Sequence, residues 1–156
     1  MRREESTRDA VHLLLRGQQL GVLSTAGDNG PYASLVAFAV SDDDRRLVFV
    51  TPRTTRKFAN IAADARVALL VNNSINRPED FHRAAAVTAV GHAETVNPTD
   101  LDTVRDRYLS KHPYLEEFAY SPSCEFVAIR VERYILVERF QNVSEYSIDH
   151  DLDPTP

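Results

Sequence analysis

The segment VFVTPRTTRKFANI, residues 48–61, decides how the rest of the chain is interpreted. It begins as an apolar strand that ends at Thr51, continues through a short loop, and then changes from strand to helical spacing. The predicted helix begins near Thr54 or Thr55, directly before Arg56-Lys57. The first N–H groups of a helix have no partner within it and carry partial positive charge. Hydroxyls and cations at such a point favour an anion site, and a phosphate monoester matches it well.

The same residues also fit a plainer interpretation, a capped surface helix whose basic side chains face water. Arg53, Arg56 and Lys57 would then be solvated cations. Spacing alone leaves both interpretations open, because a helix start with basic residues is common on protein surfaces.

Apolar runs on both sides of this segment predict a small antiparallel barrel with peripheral helices. Closing such a sheet removes exposed strand edges. The first three strands are predicted to form a meander, and Gly91 is predicted to mark a bulge or a barrel corner. A helix over 97–113 is predicted to be capped by Asn97, with Pro98 at its first position. The predicted strands are 20–26, 31–40, 47–51, 66–73, 84–96, 124–133 and 134–140, and the other predicted helices are 4–17 and 52–64.

Composition restricts the class of protein. The 156 residues fit one domain, predicted over 1–148, followed by an acidic, proline-containing tail over 149–156 that we expect to be disordered. The net charge of -5 argues against a nucleic-acid binder. Cys124 is the only cysteine, so the chain can form neither an intrachain disulfide nor a cysteine metal cluster. The five histidines lack metal-ligand spacing. The apolar run near the N-terminus is only a few residues long, so we expect a cytoplasmic protein that is not inserted in a membrane.

Three stretches carry a resemblance to a known family. Val50-Thr51, Thr55-Arg56-Lys57 and the run ARVAL over 65–69 resemble the flavin-binding split barrels related to pyridoxamine 5'-phosphate oxidase. RYLSKHPYLEEFA, residues 107–119, and VERYILVERFQNV, residues 131–143, are similar to the haem-utilisation and general stress branches of that superfamily.

The resemblance implies a mainly β (α+β) fold, a six- to seven-stranded antiparallel split β-barrel. It also implies a homodimer that binds flavin mononucleotide (FMN) at the subunit interface. Backbone groups of one strand would hold the flavin ring edge and ribityl chain, and the basic turn would hold the phosphate. Asn73, Phe140 and Gln141 end strands and would lie at the rim of the site. The full set of cofactor-binding candidates is Ala33, Ser34, Leu35, Val36, Val50, Thr51, Thr55, Arg56, Lys57, Asn73, Phe140 and Gln141.

The chain departs from the vitamin-forming oxidase itself. Ala33 and Phe38 stand where that enzyme has an arginine and a lysine, and a glutamine that contacts its flavin corresponds to about Ala86. We therefore predict an FMN-dependent oxidoreductase acting on a small molecule that the sequence does not identify, with unknown catalytic residues. The alternatives are a flavin- or haem-binding module without turnover and a deazaflavin-dependent reductase.

Overall fold

The computed structural model of the chain describes residues 1–149. Apart from Asp149, the predicted tail lies outside the described residues. No helix within the described part is long and apolar enough to cross a membrane. The helices are α1 (Arg2–Gly17), α2 (Arg56–Ala63), α3 (Asp80–Arg83), α4 (Leu101–Lys111) and α5 (Glu116–Tyr120), with a 3₁₀ turn over Pro113–Leu115. The strands are β1 (Leu20–Gly27), β2 (Gly30–Ala37), β3 (Ala39–Val40), β4 (Arg46–Pro52), β5 (Arg66–Asn72), β6 (Ala85–Thr95), β7 (Cys124–Glu138) and β8 (Asn142–Ser147).

All strand pairs are antiparallel and form one sheet in the order β2-β1-β5-β6-β7-β4-β3, with β8 paired to β7. The two ends of this order, β2 and β3, are joined by the single residue Phe38. A sheet whose ends are one residue apart in the chain must curl until they meet. The result is the mainly β split barrel that the sequence predicts, with helices at its periphery.

The predicted meander of the first three strands is present, but its second strand, 31–40, is divided in two at Phe38. β2 pairs with β1, whereas β3 pairs with β4, which in turn pairs with β7 on the other side of the barrel. Phe38, Ala39 and Val40 are buried in succession, so the alternation of a two-sided strand is lost at this point. The chain therefore leaves β2 and enters the opposite end of the sheet.

Two further sequence predictions are wrong in their boundaries. The predicted strands 124–133 and 134–140 are one strand, β7, because β6 pairs along one edge while β4 and then β8 pair along the other. Helix α4 begins at Leu101 rather than at Pro98, because the Asn97 side chain accepts from the Thr99 N–H at 3.1 Å and forms a turn of its own. The predicted bulge at Gly91 is confirmed by a register shift and by the Arg130 carbonyl oxygen, which would lie 2.1 Å from an added Cβ.

The core consists of two layers that share β4. Leu47 and Phe49 lie inside the barrel, whereas Val48 and Val50 pack beneath α4 and α5. Because both faces of β4 are buried, its C-terminal end at Thr51 is held firmly. α1 contributes to the inner layer through its buried apolar face of Val11, Leu14 and Leu15.

Candidate functional site

The chain passes from β4 to α2 through a turn held by threonine hydroxyls. Thr51 is 1% exposed, and its Oγ1 lies 2.9 Å from Oγ1 of Thr55. The Thr55 hydroxyl donates to the Pro52 carbonyl at 3.0 Å and accepts from the Phe58 N–H at 3.4 Å. Thr55 is therefore the N-cap of α2, a role for which a hydroxyl residue is well suited. Since this hydroxyl is used within the turn, donors for a ligand must come from the cations and the helix N–H groups.

Two of the three cations next to this turn remain available. Arg53 donates through Nε to a Glu125 carboxylate oxygen at 2.9 Å and through Nη1 to the Pro122 carbonyl at 2.6 Å, so it supports the loop. Arg56 and Lys57 begin α2, where backbone N–H groups have no intrahelical partner. Its first turn has no acidic residue, and within residues 1–149 neither cation forms an ion pair.

Strand β2 provides the opposite wall of the site. Tyr32, Ser34 and Val36 share the inward face, because they pair with buried positions of β1. Ala33 and Leu35 lie on the outward face and are exposed. β2 is an edge strand, so along its free edge backbone N–H and C=O groups lack a partner strand. The name socket is used below for this arrangement, formed by Thr51, Thr55, Arg56, Lys57 and Tyr32.

The two walls of the socket are tied together. The Arg56 guanidinium carbon lies 5.0 Å from the centroid of the Tyr32 ring. One helical turn further on, Nδ2 of Asn60 donates to the Thr25 hydroxyl of β1 at 3.0 Å. A Cβ at Gly27 would lie 2.9 Å from the Asn60 amide oxygen, so glycine permits this close approach of helix and hairpin. α2 is thereby fixed against the β1–β2 hairpin.

Ser34, on the same inward face as Tyr32, has an unusual hydroxyl. Its Oγ is buried and lacks a hydrogen-bond partner among the described residues. Buried hydroxyls are normally paired, and an unpaired one calls for a physical explanation. Leaving such a group unpaired costs about 1–3 kcal/mol.

The remaining sequence candidates do not join the socket in the single chain. Asn73 follows β5 at the end away from the strand residues near Thr25, and its side chain accepts from the Ala85 N–H at 2.8 Å. Phe140 and Gln141 lie in the β7–β8 turn, at the opposite end of β7 from the residues paired with Thr51. The name hairpin patch is used for this second region, formed by Asn73, Phe81, Phe140 and Gln141. The Val50 side chain is also directed elsewhere, into the layer beneath α4 and α5.

Comparison with known proteins identifies the family. Residues 7–138 match the family model described as pyridoxamine 5'-phosphate oxidase. The chain belongs to this family. No curated protein matches it significantly.

Solved structures of this fold include three informative neighbours. A haem-binding protein from Mycobacterium smegmatis has 19% identity and a TM-score of 0.77, over 86% of this chain and 55% of that one. General Stress Protein 26 from Bacillus anthracis has 17% identity and a TM-score of 0.71, over 91% and 98%. An FAD-binding protein from Mesorhizobium loti has 24% identity and a TM-score of 0.63, over 80% and 89%. Identities this low establish a shared fold.

The family match covers the socket completely but ends at Glu138, before Phe140 and Gln141. Sequence reasoning missed the contributions of Tyr32 and Thr25, which reach the socket from β2 and β1, and the contact of Asn60 with Thr25. The available signal was weak. The alternation of β2 places Tyr32 on the same inward face as Val36. Nothing local in the sequence, however, places the Tyr32 ring beside a helix that begins 24 positions later.

Proposed function

We propose that this protein binds FMN and acts as an oxidoreductase on a small molecule, with the FMN phosphate held in the socket. The observation that carries the proposal is the pair Arg56 and Lys57, two cations without ion-pair partners in residues 1–149, at the N-terminus of α2. A dianionic phosphate would accept from both side chains and from the N–H groups of the first helical turn.

The energetic consequence is a preference for phosphorylated ligands. A hydrogen bond to a charged group contributes about 1.5–3 kcal/mol, and the helix terminus adds about 0.3–1 kcal/mol. Together these terms predict that FMN binds on the order of a hundredfold or more tightly than riboflavin. Riboflavin is the appropriate comparison because it carries the same ring and ribityl chain without the phosphate.

Other groups in the site suit the rest of the cofactor. The free edge of β2 over 33–36 would offer backbone donors and acceptors to the polar edge of the ring and to the ribityl chain. The unpaired Ser34 hydroxyl supports the fit, because a polyhydroxyl chain lying beside β2 would offer it a partner.

Flavin, when bound, supplies hydride and single-electron transfer, and the protein supplies binding, orientation and exclusion of water. The socket contains neither a histidine nor a carboxylate, the usual general acids and bases, and its lysine and tyrosine are assigned to binding and positioning in this proposal. The proposed role of the chain is therefore to orient the cofactor and to tune it through backbone hydrogen bonds. The electron donor and acceptor are left open by the proposal.

The proposal includes a homodimer with one cofactor in each of two equivalent clefts. Leu20 of β1, Leu35 of β2 and Leu70 of β5 lie on the outer face of the sheet. They are 49%, 64% and 38% exposed, respectively. Cross-strand pairing places Leu35 and Leu70 on either side of Val22, in one row. Burying this row against a second copy would remove apolar surface from water. The hairpin patch of one subunit would then cover the flavin held in the socket of the other.

A haem-binding module is the second candidate, and it is favoured by the haem-binding neighbour from M. smegmatis. Haem iron needs an axial ligand. Within the described residues His12 pairs with the buried Asp44 at 2.8 Å, and His112 is buried with Nε2 2.6 Å from the Phe38 carbonyl oxygen. His150 lies outside the described residues. A deazaflavin would use the same socket as FMN.

The absorption spectrum of the purified protein, followed by titration of the apoprotein, tests this proposal. We expect a yellow sample with one FMN per chain, and anaerobic bleaching of that spectrum by NADH or NADPH would identify a redox-active site. Titration with riboflavin, haemin and a deazaflavin phosphate separates the alternatives. A Soret band with haemin, together with no affinity for FMN, would contradict the proposal and favour the haem module.

A further inference from the structure

The guanidinium of Arg56 is held over an aromatic ring before any ligand is bound. Its central carbon lies 5.0 Å from the Tyr32 ring centroid, within the range of cation–π contacts. Arg56 itself is exposed, and an exposed arginine otherwise samples many rotamers. Stacking restricts that sampling to the side of α2 that faces β2.

This contact leaves the donors of Arg56 available. A guanidinium can contact a ring through its flat face, and its five N–H groups lie in its plane. The face can therefore rest on Tyr32 while the edge donates to an anion. The ion pair of Arg53 with Glu125 is a useful contrast, because there the donors themselves are used and the side chain is lost to a ligand.

The backbone of Tyr32 is connected to the same helix that carries Arg56. The Thr25 hydroxyl donates to the Tyr32 carbonyl at 3.5 Å and accepts from the Asn60 side chain at 3.0 Å. Arg56 and Asn60 are four residues apart and so lie on one face of α2. The helix and the strand pair thus fix the Tyr32 backbone next to α2, and the ring extends from this point to Arg56.

We propose that Tyr32 is a positioning residue that holds Arg56 in the orientation required by the phosphate of the ligand. This inference rests on the proposed phosphate site. The ring, rather than the phenolic hydroxyl, performs the role, so phenylalanine should replace Tyr32 and an aliphatic side chain should not.

The test compares FMN with riboflavin, because only FMN uses Arg56. We expect Tyr32→Leu to weaken FMN binding about three- to tenfold and to leave riboflavin binding unchanged, whereas Tyr32→Phe retains wild-type affinity for both. In an Arg56→Ala background, Tyr32→Leu should cause no further loss. A merely structural effect would weaken both ligands equally or lower the thermal stability of the apoprotein.

Two outcomes distinguish a failure of the role of Tyr32 from a failure of the proposed phosphate site. If the wild-type protein binds FMN no better than riboflavin, the phosphate site is wrong and the role of Tyr32 fails with it. If the wild type prefers FMN and Tyr32→Leu keeps the whole preference, only the role of Tyr32 is overturned. NMR of the ligand-free protein adds a direct readout: the Arg56 Nε–H proton should show an upfield ring-current shift in the wild type and Tyr32→Phe. Its absence in the wild type would also overturn the proposal.

Discussion

The socket and the hairpin patch lie toward opposite ends of β7, and their side chains are organised in opposite ways. In the socket, polar groups are already tied to one another, as in the Thr51–Thr55 hydroxyl contact and the stacking of Arg56 on Tyr32. In the hairpin patch, the rings of Phe81 and Phe140 are 58% and 67% exposed and meet only edge to face, with centroids 5.5 Å apart.

The backbone shows the same contrast. Arg139 and Phe140 both have positive φ, at 48° and 67°, in the turn between β7 and β8. Such values are uncommon for residues other than glycine. A bulky aromatic side chain at such a position is held out from the surface. In the proposed dimer, one chain forms the charged end of the site and a second copy supplies its apolar cover.

The largest expected effect is on assembly. Leu35→Asp places a carboxylate on the exposed outer face of β2, which costs little in the single chain and several kcal/mol if the face is buried against a partner. We expect analytical ultracentrifugation to show a monomer and FMN titration to show at least tenfold weaker binding. The matched control is Leu13→Asp, because Leu13 is 71% exposed on α1, away from the sheet. A variant that remains dimeric would place the interface on another surface.

A smaller effect is expected at the hairpin patch. Phe140→Ala removes the ring proposed to cover the flavin, and aromatic contacts contribute about 0.5–1.5 kcal/mol beyond burial. Dissociation constants should therefore rise roughly three- to tenfold for FMN and riboflavin alike, because the ring and not the phosphate is affected. Tyr114→Ala, at a residue that is 97% exposed elsewhere on the molecule, should change neither. A loss confined to FMN would mean that the patch acts on the phosphate instead.

The smallest effects are expected at Ser34, where one substitution should stabilise the apoprotein and weaken FMN binding. Ser34→Ala removes a buried unpaired hydroxyl, so the free energy of unfolding of the apoprotein should rise by about 1 kcal/mol. The same change should weaken FMN binding a few fold, because the ribityl chain loses a partner. Ser24→Ala, at an exposed serine of neighbouring β1, is the control and should leave both quantities unchanged. A destabilised apoprotein would show that the hydroxyl already has a partner.

The contiguous part of the socket was predictable from the sequence, whereas its supporting contacts were not. The end of β4, the N-cap of α2 and the cations of its first turn follow one another within 51–57. Spacing and helix chemistry are therefore enough to predict where they lie. Tyr32 and Thr25 meet α2 only because the register of β2 on β1 and the packing of α2 bring distant segments together.

The fold shows the same division between local and distant information. Apolar runs located most strands and Gly91 marked a true bulge, but β8 has the polar sequence NVSEYS and was missed. Its place is set by Tyr146, which stacks on Tyr134 with ring centroids 6.3 Å apart. The predicted strand 31–40 was not divided at Phe38, because that break depends on burial in the assembled barrel.

The most direct measurement of the central claim is the ratio of riboflavin to FMN dissociation constants in the Arg56→Ala/Lys57→Ala variant. Arg53→Ala serves as the matched control, because that cation is bound to Glu125 and the Pro122 carbonyl. The account predicts that the double variant binds riboflavin like the wild type, keeps its thermal stability and loses nearly all preference for FMN, while the control retains that preference. An undiminished preference for FMN in the double variant would contradict the account.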